Sequence, residues 1–158
     1  MPPPDALAPA SDARPPTIAI DIDEVLAPFL PPLTAWYNAA RGTRHALSDY
    51  HSYRFADTWG GSDAAATAAV EAWFDTGALG RLVPLPGAAA GLAALAARGA
   101  RLVVVTSRQA AVADVTRGWV ARAFPGVFAD VVFGNHWGRT GAKVSKADLC
   151  AGAGAVLL

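Results

Sequence analysis

A single cysteine, Cys150, and a single methionine stand in 158 residues. One thiol closes no internal disulfide, so a secreted fold held by staples is excluded and a reducing compartment fits. Charge is equally scarce. Lys and Arg number 13, Asp and Glu 13, giving a formal net charge of zero and 16% charged residues. Without a basic excess the chain has no general pull toward DNA, RNA or anionic lipid, so no nucleic-acid polymer is expected as a partner. The histidines His45, His51 and His136 lack metal-ligand spacing, and a zinc site is not expected. Long apolar runs are missing too. The longest uncharged stretch, Leu82 to Ala97, is too short to cross a bilayer and is interrupted by Pro84, Pro86, Gly87 and Gly91. With no membrane span and no signal-peptide core, a cytoplasmic location is expected.

Hydrophobic residues make up 53% of the sequence, too many for an intrinsically disordered chain. Ala supplies roughly a quarter of the residues, so the expected core is built of small side chains. The length suits one domain. Residues 1–16, MPPPDALAPASDARPP, are crowded with Pro and Ala and read as a disordered tail.

Thr17 to Ile22 is a β-rich run following a Pro pair. Pro28, Pro31 and Pro32 then break the chain before a helical segment, Leu33 to Ala40. A polar, aromatic stretch from Arg41 to Gly61 precedes a helix from Ala64 to about Asp75, with Ser62 or Asp63 as N-cap. Its inward face is Ala66, Val70, Trp73 and Phe74. Residues 28–82 thus read as a small helical insertion. From Pro86 a helix runs to Arg98 and Gly99 stops it; the strand RLVVVT follows, its apolar run suited to burial on both faces. A helix from Gln109 to Phe124 places Val112, Val115, Trp119 and Ala123 on one side. After it come a strand at Val131 to Phe133, a helix from Ser145 to Gly152 and a strand from Ala155. The alternation predicts an α/β fold with a parallel sheet and right-handed crossovers, built from residues 17–27 and 83–158.

Ligands of open parallel sheets bind beyond the carboxyl ends of the strands. There the first strand ends in Asp21-Ile22-Asp23-Glu24 and the second in Thr106-Ser107-Arg108, while Lys143 and Lys146 open the last helix. A carboxylate can attack phosphorus, and a carboxyl two residues on can protonate the leaving oxygen and then activate water. An anionic nucleophile and an anionic phosphate repel each other, so a divalent cation is required, and Mg²⁺ suits an all-oxygen site. The Thr106 hydroxyl, the backbone N–H groups after it and a lysine would hold the phosphoryl oxygens.

These residues resemble the haloacid dehalogenase-like hydrolases: IDIDEVLAPF is similar to their first motif, VVVTSR to their second, and the Lys146 of KADLCAGAGAVLL to their third-motif lysine. The resemblance implies a Rossmann-like core with helices on both faces, a small helical cap inserted after the first strand, an aspartyl-phosphate intermediate and Mg²⁺. It implies Asp21 as nucleophile, Asp23 as general acid/base, Thr106 as phosphate-binding hydroxyl and Lys146, rather than Lys143, as charge-neutralising lysine. The cation would be held by Asp21 and Asp23, the latter through its backbone carbonyl. An acid at position 23 favours a phosphatase over a dehalogenase, and a cap favours a small phosphorylated substrate such as a nucleotide. Ser107, Arg108, Lys143 and His136 are the candidate substrate contacts. The sequence reads as stopping before the family's fourth, acidic motif, as a fragment or as a degenerate member would.

Several readings stay open. The aromatics Trp36, Tyr37, Tyr50, Tyr53, Phe55, Trp59, Trp73 and Phe74 would serve either as a base-stacking pocket or as the core of the cap. The alternative to an enzyme is a catalytically impaired domain that binds a phosphorylated ligand or partner. A receiver-type signalling domain orders acids, Thr/Ser and Lys in the same way, but the large insertion after the first strand argues against it. Oligomeric state is left open.

Overall fold

A computed structural model describes residues 15–157; the proposed tail lies almost wholly outside them. Four parallel strands, β1 (Thr17–Ile20), β2 (Arg101–Thr106), β3 (Asp130–Phe133) and β4 (Ala155–Leu157), form one sheet in the order β3-β2-β1-β4. Ile20 pairs with Val104, and Thr106 with Phe133, so the strands deliver their carboxyl ends to one edge.

The helices are α1 (Leu30–Arg41), α2 (Phe55–Trp59), α3 (Asp63–Asp75), α4 (Ala88–Ala97), α5 (Ala113–Ala123) and α6 (Lys146–Ala153). Strand periodicity explains why they cover both faces. Leu102 and Val104 of β2, with Ile20 of β1, pack with Leu92 of α4 and Trp119 and Val120 of α5. Val103 and Val105 point the other way, with Ala19, onto Cys150 of α6. The result is an α/β, Rossmann-like fold with a parallel sheet between helical layers.

Between β1 and β2, residues 28–82 carry α1, α2 and α3 and a separate cluster of Leu33, Val70, Trp73 and Leu79, which Val112 joins from the segment after β2. Two expectations here need correction. Helix α1 starts at Leu30, not Leu33, because Pro31 and Pro32 occupy its first turn, where the missing N–H groups would have had no helical acceptor. The stretch from Arg41 to Gly61 also contains a helix, α2, which stacks Trp59 on Tyr37 at 3.9 Å and 8° and on Phe55 at 4.7 Å and 12°. Trp59 Nε1 donates to Tyr50 Oη at 2.8 Å. Rings in mutual contact leave no slot for a base between them, so Tyr37, Tyr50, Phe55 and Trp59 pack, partly buried, within the insertion; Tyr53, expected with them, is 96% exposed and joins neither a pocket nor the core.

The insertion is tied to the sheet domain by backbone-directed bonds. Trp119 Nε1 donates to Leu82 O at 2.7 Å, and Arg122 donates to Gly80 O at 2.9 Å. Arg139 pairs with Glu71 of α3. Among the described residues no helix is long and apolar enough to cross a membrane.

Candidate active site

Beyond β1 the chain winds into a single turn around one carbonyl: Ile22 O accepts from the N–H groups of Val25, Leu26 and Ala27 at 2.8–3.2 Å. Ile22, Leu26 and Ala27 are buried, which fixes the turn and leaves Asp21 and Asp23 partly open. Asp21 Oδ1 accepts from Ile22 N at 2.8 Å, and Asp21 Oδ2 accepts from Lys146 Nζ, a partner 125 positions away in sequence. Their side chains are 20% and 29% exposed, so the pair is reachable by a ligand. Lys146 is the first residue of α6, whose N-terminus is fixed by Ser145 Oγ accepting from Asp148 N at 3.1 Å. Lys143 is exposed in the preceding loop, with no carboxylate at ion-pair distance among the described residues. The lysine brought to Asp21 is therefore Lys146.

Glu24 sits at φ 61, in the left-handed region, and its Oε1 accepts from Phe29 N at 2.9 Å and Leu30 N at 2.7 Å. It caps α1, a role that the acidic run alone did not disclose.

The largest departure from expectation concerns Arg108. Expected to touch substrate, its side chain is only 2% exposed and its donors are already committed. Nη2 and Nε reach Asp23 Oδ1 at 2.6 and 3.1 Å, Nε also reaches Oδ2 at 3.2 Å, and Nη1 donates to Thr116 Oγ1 at 3.2 Å. Asp23 keeps a 28% exposed side chain. Burial raises its carboxyl above the ordinary range, the Arg108 charge and hydrogen bonds pull it back, and the net direction is upward. Thr116 is fully buried on α5 while Val115 is 38% exposed; Val112 and Trp119 of the expected inward face are buried, and Thr116 turns inward where Val115 was expected to.

Thr106 is fully buried at the end of β2, and its Oγ1 accepts from Arg108 N at 3.2 Å. The next segment is built against a loop that follows β3. Gly134 N donates to Thr106 O at 2.7 Å and His136 N to Ser107 O at 3.1 Å, which brings the exposed His136 beside the half-buried Ser107. Asn135, buried with φ 53, accepts from Ala110 N at 3.0 Å through Oδ1 and donates to Thr140 O at 2.8 Å and Ala142 O at 3.2 Å. The N–H groups of Arg108 and Ala110, expected to face a phosphate, are thus partly spent inside the protein. Gly134 is required by close approach: a Cβ there would lie 2.7 Å from Val144 O.

Asp21 and Asp23 offer a cation oxygen donors only, and among the described residues no cluster of three His, Cys, Asp or Glu is gathered. Each Asp21 oxygen makes one hydrogen bond and keeps a lone pair. Such a set fits Mg²⁺, which is commonly held by one or two carboxylates with phosphate and water in the remaining positions. A cleft of about 290 Å³ lined by Arg117, Phe124, Phe128 and Val131, and one of about 220 Å³ lined by Tyr37, Arg41 and Trp59, share no residue with this cluster.

The class defined by these observations is an α/β, Rossmann-like domain with paired acids, a hydroxyl and a lysine at the carboxyl edge of its sheet. No protein-family model matches the sequence, and no curated protein matches it. Solved structures do match the fold. A hydrolase from Streptococcus pneumoniae TIGR4 aligns with a TM-score of 0.50 at 16% identity, over 81% of this chain and 71% of its own. A Thermotoga maritima protein described as a beta-phosphoglucomutase aligns with a TM-score of 0.50 at 18% identity, over 80% and 64%. A class C acid phosphatase from Bacillus anthracis, with tungstate bound, aligns at 0.48 and 15% identity over 78% of this chain and 42% of its own. The chain therefore spans less than two thirds of two of these three proteins.

Proposed function

We propose that the protein is a phosphomonoester hydrolase of the haloacid dehalogenase-like type, acting on a small phosphorylated metabolite. The observation that carries this reading is the Asp21–Lys146 pair, assembled from opposite ends of the chain at the sheet edge that also holds Asp23 and Thr106. Asp21 attacks phosphorus, and the ester P–O bond breaks as the departing oxygen takes the proton of the Asp23 carboxyl. Water then attacks the aspartyl-phosphate while the Asp23 carboxylate accepts its proton. The bond from phosphorus to Asp21 breaks, leaving inorganic phosphate, an alcohol and both aspartates restored. Lys146 holds the attacking oxygen in place and offsets charge as the phosphoryl group arrives. Mg²⁺, held by the Asp21 carboxylate and the Asp23 main-chain carbonyl, would supply the charge neutralisation that lets two anions meet. Ser107, His136 and Lys143 would serve as substrate contacts. The insertion, joined to the sheet domain by the Arg139–Glu71 ion pair and by its bonds to α5, would shield the reaction from water.

Turnover of a phosphomonoester panel with Mg²⁺, abolished by Asp21→Asn, tests the proposal; a folded protein inert toward every ester contradicts it. A second reading is favoured by the engagement of Asp23 with Arg108: the same edge would bind a phosphorylated ligand without hydrolysing it. Saturable binding of a phosphonate analogue without turnover of the matching ester would select this reading.

A further inference from the structure

We infer that Arg108 is a positioning residue, which acts on the reaction only through Asp23 by fixing its carboxylate in the orientation that delivers a proton to the leaving group. The inference rests on the phosphomonoesterase reading and adds a residue to it. The Arg108–Asp23 pair has a dry end and a wet end. The guanidinium is shut away with 2% of its side chain exposed, whereas the carboxylate is 28% exposed. A ligand at the sheet edge meets Asp23 and does not meet Arg108.

Geometry supplies the restraint. An aspartate carboxylate in a loop has several staggered χ1 wells available. Here three hydrogen bonds from Nε and Nη2, at 2.6–3.2 Å, hold it in one of them. The fork is itself held from behind, because Nη1 is bonded to Thr116 Oγ1 at 3.2 Å and Thr116 is fully buried in α5. Arg108 N also donates to Thr106 Oγ1. One residue therefore ties the acid/base candidate to the hydroxyl that would bind phosphate, and both to α5. A planar fork is needed for this, so Lys is not an equivalent replacement.

A buried ion pair is by itself weak support for a role beyond folding, so the readout must separate the two. Protonation of the leaving group matters greatly for an alkyl phosphate and little for p-nitrophenyl phosphate, whose leaving group departs readily as an anion. General acid catalysis contributes on the order of 10²–10⁴-fold. Asp23→Asn should slow formation of the aspartyl-phosphate, followed in single turnovers, by about this much on glycerol phosphate and far less on p-nitrophenyl phosphate, while loss of the base slows the second step equally for both. Arg108→Met should show the same selectivity in that single-turnover rate, its loss about tenfold or more larger for the alkyl ester. Arg108→Lys should recover part of the loss, and the Asp23→Asn/Arg108→Met double variant should be no slower than Asp23→Asn. Thr116→Val, which removes only the anchor, should shift selectivity in the same direction by a smaller factor and serves if Arg108→Met does not fold. Equal losses of that single-turnover rate on both esters, a change confined to ester affinity, or additive effects in the double variant would overturn the inference while leaving the hydrolase reading intact. Wild-type protein that turns over neither ester overturns the hydrolase reading, and this one with it.

Discussion

Lys146→Met removes the ammonium from Asp21 while keeping a long apolar side chain, and its effects on stability and on rate differ in size. Unit charges about 4 Å apart attract by about 4 kcal/mol at an effective dielectric of 20. Both side chains are partly exposed, at 29% and 20%, so solvent screening and the cost of ordering the lysine offset much of that. A net stability contribution of about 1 kcal/mol remains, corresponding to a melting shift of about 2–4 °C for a chain of this size. In the reaction the same ammonium faces the charge that develops as Asp21 meets phosphorus. Loss of one such preorganised donor costs about 3 kcal/mol of barrier, or about 10²-fold in rate. The variant should therefore remain folded at 25 °C and yet hydrolyse p-nitrophenyl phosphate about 10²-fold more slowly. Initial rates and a thermal melt on the same preparation test this, with Lys143→Met as a comparison expected to lose much less. A Lys146→Met rate close to wild type, or a loss that vanishes when corrected for the folded fraction, would refute the reasoning.

Three structural predictions accompany it. Trp73, 2% exposed and edge-on to Phe29 at 5.2 Å, anchors the insertion, so Trp73→Ala should cost about 3–5 kcal/mol in urea unfolding. Glu24→Ala should lose about 1–2 kcal/mol with the α1 cap. Glu24→Gly should lose less, because φ 61 costs glycine nothing; an Ala variant as stable as wild type would contradict the capping role, and one as stable as the Gly variant would contradict the backbone strain. Gly134→Ala should cost about 1–3 kcal/mol, because the new Cβ meets the Val144 carbonyl. Faster hydrogen exchange at Val144 N, which donates to Gly134 O at 2.9 Å, is its local signature, and an unchanged melt would argue against the close approach.

Much of the fold was legible because its signals are local. The β2 strand was marked by an unbroken LVVV run and α3 by Ser62 ahead of its apolar face, while Gly99 followed α4 closely. Proline misled at α1, where Pro31 and Pro32 were read as breakers but sit where a helix tolerates them. In α5 the apolar pattern selected Val115. The position turned inward is Thr116, whose hydroxyl is needed by a guanidinium eight residues earlier. Periodicity registers hydrophobicity and is blind to a buried polar residue that is satisfied by a distant partner. The paired acids, the hydroxyl and the lysine were identifiable from their order along the chain. That Arg108 turns inward to Asp23, and that Asn135 knits the loop after β3, depend on contacts 85 and 25 residues apart that carry no local pattern.

Phosphorylation of Asp21 is the event on which the account depends, and it can be observed directly. Asp23→Asn protein should accumulate the intermediate, because it lacks the base that activates water in the second step. Mixing it with p-nitrophenyl phosphate and Mg²⁺, quenching in acid and mapping peptides by mass spectrometry should reveal one phosphoryl group on the peptide containing Asp21. That group should be released by hydroxylamine and be absent from Asp21→Asn. Turnover by the wild-type protein with no adduct at Asp21 under any quench, or an adduct on another residue, would contradict the mechanism.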